Sequence, residues 1–191
     1  MRLLLVLVSV AATAAVAGFL VGRRPDPSVA STVSPYAGDS SPVRGLTARE
    51  VDDLLNGRGA GFARTAELNS YPGPRHAIDL ADRLELTADQ RATAGRIFEG
   101  MSTEAQRLGR EILERERRFS AGFAERRITP DDLRADAETL GVLYGRLRAV
   151  HLTAHLELTR ALTPQQIRRY DMLRGYHAPA GGRPDAHVHG G

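Results

Sequence analysis

The chain has 191 residues, room for one domain with a modest helical core, and carries 26 basic residues against 23 acidic ones, a formal charge of +3. It has no cysteine, which excludes disulfides, thiolate metal sites and cysteine nucleophiles, so any metal must be held by histidine and carboxylate. Every basic residue is arginine, which favours forked contacts to carboxylates and phosphates over point-charge contacts.

Residues 3–22 are an unbroken apolar run between Arg2 and Arg23-Arg24, close to the roughly 20 residues that a bilayer span needs. Ala15-Val16-Ala17 also fits a small-residue cleavage pattern, so 1–24 reads as a signal anchor or a signal peptide. The apolar run continues past that pattern to Val21, which favours an anchor in the inner membrane. In both cases the body is expected outside the cytoplasm. Residues 25–45, rich in Ser, Pro and Gly, read as a flexible linker.

Structure is expected to resume at Leu46-Thr47-Ala48-Arg49-Glu50, whose Thr and Glu have capping-box spacing, with a short helix through Leu55. Asn56-Gly57-Arg58-Gly59 breaks it. A second short helix is expected over 60–68, then a turn at Tyr71-Pro72-Gly73-Pro74, then a third short helix over 76–84. Leu86-Thr87-Ala88-Asp89-Gln90 opens a long helix over about 88–125, its stripe formed by Ala94, Ile97, Met101, Ala105, Leu108, Ile112, Phe119 and Phe123. The opposite face carries Arg110, Arg115, Arg117 and Arg118 among glutamates, which reads as a solvated face of i,i+4 pairs or as a basic surface. Thr129-Pro130-Asp131-Asp132 caps a second long helix, which ends near Ala161. In it Leu133, Ala137, Leu140, Tyr144, Leu147, His151, Ala154 and Leu158 form a heptad seam for antiparallel packing on the first. Leu162-Thr163-Pro164-Gln165-Gln166 then caps a final helix over 164–174. Leu152 and Leu156 fall off the seam and call for a cover, either the last helix or a second subunit. The tail 176–191, with His177, His187 and His189, is expected to be disordered.

A leader, two LTxxQ motifs with caps Thr87, Gln90, Thr163 and Gln166, a long helical hairpin between them, no cysteine and a His-bearing tail together resemble the Spy/CpxP/ZraP group of periplasmic proteins. The resemblance covers about Leu46 to Tyr176, which spans the expected domain 46–175. It departs in the first box, where Glu50 stands in place of the motif's Gln. That group includes ATP-independent chaperones, modulators of envelope-stress signalling and zinc-binding proteins, and the related CnrX-type sensors share its hooked-hairpin build. The resemblance implies an all-α fold, a homodimer or higher oligomer, and a surface that meets unfolded envelope proteins without nucleotide. For that surface the arginine face is the candidate.

His151 and His155 stand one helical turn apart, about 5–6 Å between Cβ atoms, as two imidazole ligands for zinc, copper, nickel or cobalt would. Otherwise His151 is a seam residue with a hydrogen-bond partner and His155 its surface neighbour. A hooked hairpin could bring His76 alongside, as metal-sensing relatives use an early helix and the last long one. Asp79, Asp82 or Glu157 could complete the shell, with no methionine placed as a soft ligand. The tail histidines are a separate, weaker binder.

No enzyme is expected: Leu152 stands where a zincin needs glutamate, and nucleophile elbows and phosphate loops are absent. Nucleic acid is excluded as a partner by the expected compartment. The expected role is metal-responsive envelope-stress protection, binding metal ions, unfolded clients or both. The alternative is a regulatory module that modulates a membrane sensor kinase or anti-sigma factor, with neither activity.

Overall fold

The computed structural model describes residues 41–176, together with Ser34 and Gly38. The chain divides into two units, Met1–Gly38 and Asp39–Gly191, and every described helix belongs to the second. The expected leader (1–24) and the tail histidines His177, His187 and His189 lie outside the described residues. Among the described residues no helix is long and apolar enough to cross a membrane.

The described secondary structure is all helical: α1 (Ala48–Leu55), α2 (Arg64–Glu67), α3 (Pro74–Asp79), α4 (Ala88–Ala124), α5 (Pro130–Ala161) and α6 (Pro164–Arg174). The longer ones begin where side chains close the orphan amides of the first turn. Thr47 with Glu50, Thr87 with Gln90, Thr129 with Asp132 and Thr163 with Gln166 each form a reciprocal capping box. α6 stops at Gly175, whose left-handed φ of 72° suits a residue without Cβ.

α4 and α5 pack along their lengths in opposite directions. Arg115 Nη1 meets Asp136 Oδ1 at 3.1 Å near one end, and Gln90 Nε2 donates to the Ala161 carbonyl at 2.9 Å near the other. The core falls into two clusters along this pair. In one, Val51 and Leu54 of α1 lie on Ala105, Leu108 and Ile112 of α4 and Leu140, Leu143 and Leu147 of α5. In the other, Leu84 and Leu86 lie on Ala94 of α4, Leu158 of α5 and Tyr170 of α6. Gly109 lets α1 approach, since a Cβ there would stand 2.0 Å from the Leu54 carbonyl oxygen.

Four expectations need correction. The helix over 60–68 is only α2: Gly59 and Gly61 precede it, Ala63 offers no side-chain cap, and Ser70 turns left-handed at φ 64°. The helix over 76–84 is α3, which starts at Pro74, where a missing N–H costs nothing, and ends at Asp79 before the left-handed Glu85. Val43, assigned to the linker, is 1% exposed within the first cluster. Phe123 (51% exposed) and Leu133 (40%) leave the expected seam, since both lie outside the first core cluster, toward the turn between α4 and α5.

Candidate functional site

Between the two core clusters the apolar seam is interrupted. α5 places His151 and His155 there, α4 places Phe98, Met101 and Ser102, and the result is a cleft of about 780 Å³ rather than a filled core. The turn Asn56–Gly61, α2 and the start of α3 form its other walls, bringing Glu67, Gly73 and His76 to the same space.

His155 is 5% exposed, so it is not the surface neighbour that helical spacing suggests. Its Nδ1 donates to the Tyr71 carbonyl at 2.8 Å, the N–H sitting on that nitrogen because a carbonyl can only accept. Nε2 is left as the lone-pair nitrogen. Burial lowers its pKa, against the Tyr71 hydrogen bond and the Glu67 charge. His151, 2% exposed and stacked on Phe62 at 6.1 Å and 14°, has a buried Nε2 with no hydrogen-bond partner. Burial, helped by His155, lowers its pKa to about 4, so the ring is neutral at ordinary pH.

Glu67 organises the opposite wall. Oε1 receives His76 Nδ1 at 2.9 Å and lies 3.5 Å from the Tyr170 hydroxyl. Oε2 receives the Tyr176 hydroxyl and faces Arg174 Nη2 at 3.5 Å. Burial pushes this carboxyl up, but the hydrogen bonds from His76 and Tyr176 and the charges of His76 and Arg174 outweigh it and hold the pKa at about 2. Gly73 completes the arrangement. The point its Cβ would take lies 3.0 Å from Glu67 Oε1 and 3.2 Å from His155 Nε2, so the two atoms flank one small space.

His76, His151 and His155 therefore all line one cleft. Asp79 and Asp82 do not join them: Asp79 holds Arg75 at 3.2 Å and Asp82 holds Arg91 at 2.8 Å, both at the surface. Glu157 is exposed and outside the lining. The carboxylate that does join is Glu67, and Met101 brings the thioether that the sequence reading placed nowhere. Neither had a local signal, since both are recruited from other elements. Tyr176, assigned to the disordered tail, is instead anchored on Glu67 and Arg174.

The donor chemistry fits a divalent transition ion: two neutral imidazoles, one with its tautomer set by a backbone carbonyl in the way of metal-binding histidines, and an ionised carboxylate across a narrow gap. Among the described residues no group of three or more histidine or carboxylate side chains is placed to hold a metal ion. On the arginine face, Arg115 pairs with Asp136 and Arg118 with Glu114 at 3.7 Å, while Arg110 and Arg117 are exposed without an ion pair among the described residues.

The motif glutamines do more than cap. Gln90 Nε2 donates to Gln166 Oε1 and Gln166 Nε2 to Gln90 Oε1, both at 2.9 Å, while each Oε1 also accepts from its own threonine amide. The two LTxxQ boxes are thereby joined face to face. Comparison with protein-family models, with curated proteins and with solved structures finds no match to this chain.

Proposed function

We propose that this chain is an extracytoplasmic helical-hairpin protein of the Spy/CpxP/ZraP kind, held at the inner membrane by its leader, that takes up a divalent transition metal and responds to envelope stress without ATP. The observation that carries this reading is the convergence of His151, His155, His76 and Glu67 on one cleft from three helices. His151, His155 and Glu67 would hold the ion, with His76 keeping Glu67 in place. A bound ion would bring a double positive charge beside Glu67. That charge competes with the hold of Tyr176 and Arg174 on the same carboxylate and so links the cleft to the C-terminal end. Holding unfolded clients on the arginine face is the less favoured part of the role, since Arg115 and Arg118 already carry counterions.

The test is calorimetric titration of zinc and of copper into the full chain with His177, His187 and His189 replaced by Ala. Stoichiometric binding is expected, weakened at least 10–100-fold by His151→Ala/His155→Ala with helicity retained. Heat that is absent, or unchanged in the double variant, refutes a structured site.

A further inference from the structure

We propose that the outer face of α5 is a self-association surface, on which a second copy of the chain lays its own α5 antiparallel about a two-fold axis through Ala149. None of the residues involved lines the cleft, so the interface is independent of the metal reading.

α5 turns one side inward, with Leu140, Leu143, Leu147, His151, Ala154 and Leu158 buried. Along the middle of its other side run Val142, Gly145, Ala149, Leu152 and Leu156, a strip of about four turns without a charge. Val142 is 53% exposed and Leu156 45%.

The glycines say how closely something approaches. Gly141 and Gly145 stand inside a helix of 32 residues, where glycine is less favourable than alanine, and a Cβ at either would meet nothing within 4 Å. The fold of one copy makes no use of their smallness. A helix packed from outside does, because the distance between two helix axes is set by the side chains at the contact.

Charge and symmetry decide the occupant. Glu138 closes the strip at one end and Arg160 at the other, both exposed and neither with an ion-pair partner among the described residues. A two-fold contact places one patch on its own copy, so the patch must be complementary to itself. Here residues 145 and 153, 142 and 156, and 138 and 160 lie 4, 7 and 11 positions on either side of Ala149. An antiparallel pair centred there sets Glu138 on the partner's Arg160 and Val142 on the partner's Leu156, each twice. Gly145 falls on the partner's Thr153, and Ala149 meets its own copy at the axis. Steps of three and four residues are those of a coiled-coil seam, and the contact from 138 to 160 would run roughly 33 Å at 1.5 Å per residue. A parallel pair would put Glu138 on Glu138 and Arg160 on Arg160. An anionic lipid surface would meet Glu138 with like charge.

The chain has no cysteine, so a single introduced cysteine reports contact between copies without background. The experiment is mild oxidation of the full chain in detergent, read as disulfide-linked dimer. Ala149→Cys, at the axis, is expected to link. Ala135→Cys is the control: it is exposed on the same side of α5, yet the axis puts it roughly 42 Å from its own copy at 1.5 Å per residue. Adding Glu138→Arg or Arg160→Glu to Ala149→Cys should lower linking about tenfold, since each dimer carries the pair twice and now sets like charges together. The swapped pair Glu138→Arg/Arg160→Glu should restore it. All of these positions are exposed, so the variants keep the fold of the single copy. Absent linking at Ala149, equal linking at Ala135, or linking indifferent to the charge reversals overturns the proposal, as does failure of the swapped pair to restore it. A strip that serves a different protein gives the first of these results, and association through the leader alone gives the second or third.

Discussion

His151 combines the two features that set the behaviour of the cleft at the scale of a single residue: a heptad position that buries it and a ring nitrogen that nothing satisfies. Its pKa is lowered from 6.5 to about 4, so over that interval the unfolded chain binds a proton that the folded one refuses. Its stabilising contribution is complete above pH 6.5 and is lost as pH falls toward 4, by at most about 3 kcal/mol at 1.36 kcal/mol per unit. His155 is shifted the same way by burial and adds to the slope. Glu67, held at about 2 from 4.5, acts only at lower pH and with the same sign. Urea denaturation on either side of pH 6 should show falling stability for the wild type and a flatter response for His151→Leu. The motif glutamines make a second residue-scale case. Glutamate could serve as the N3 cap, as Glu50 does in α1, but it has no N–H to give Gln166 or the Ala161 carbonyl. Gln90→Glu is therefore expected to cost about 1–3 kcal/mol, whereas Glu50→Gln should be close to neutral by the same denaturation measurement.

At the scale of elements, α1 and α4 meet where Gly109 removes a side chain. Gly109→Ala would set a Cβ 2.0 Å from the Leu54 carbonyl oxygen, a clash with rigid backbone rather than with a movable tip. Separating the two helices should cost about 1–3 kcal/mol or more, read as a lowered midpoint of thermal unfolding. Gly100→Ala in the same helix, with open space around it, is the matched control and should be neutral or stabilising. The last helix is tied to the early segments through Glu67, by Tyr170 and Tyr176, and through Glu85 by Arg169 at 2.5 Å. Tyr176→Phe removes one donor from the half-buried Glu67 carboxylate and should weaken protection of the α6 amides in hydrogen exchange before it affects α4 and α5.

At the scale of the whole molecule, Leu156 is 45% exposed and Met172 65%, the former on the α5 side that the sequence marks as needing a cover. α6 folds back by way of Tyr170 and leaves Leu156 in water. If a second copy supplies the cover, Leu156→Glu/Met172→Glu should move sedimentation velocity from dimer to monomer without lowering stability, because neither side chain is part of the core. An unchanged sedimentation coefficient places any association elsewhere. The end of the long pair, with Phe123 and Leu133, is another exposed apolar surface among the described residues, and the same experiment on Phe123→Glu tells the two apart.

Local chemistry is what the sequence by itself determined. Four threonines at capping spacing set four helix starts, and recurring apolar residues set the faces of α4 and α5, because both depend on neighbours within one or two turns. The histidine pair was legible for the same reason. Its surroundings were not. Glu67 lies within the helix expected over 60–68, but nothing local turns it toward the histidines, Met101 reads as part of an ordinary stripe, and His155 is held by a carbonyl 84 residues away. The short helices shrank because left-handed residues at Ala60, Ser70 and Glu85 bend the chain to cover α4 and α5, a demand of packing rather than of local preference. Which residues share the cleft was decided by the tertiary structure alone, since the space exists only where two separate cores leave a gap between them.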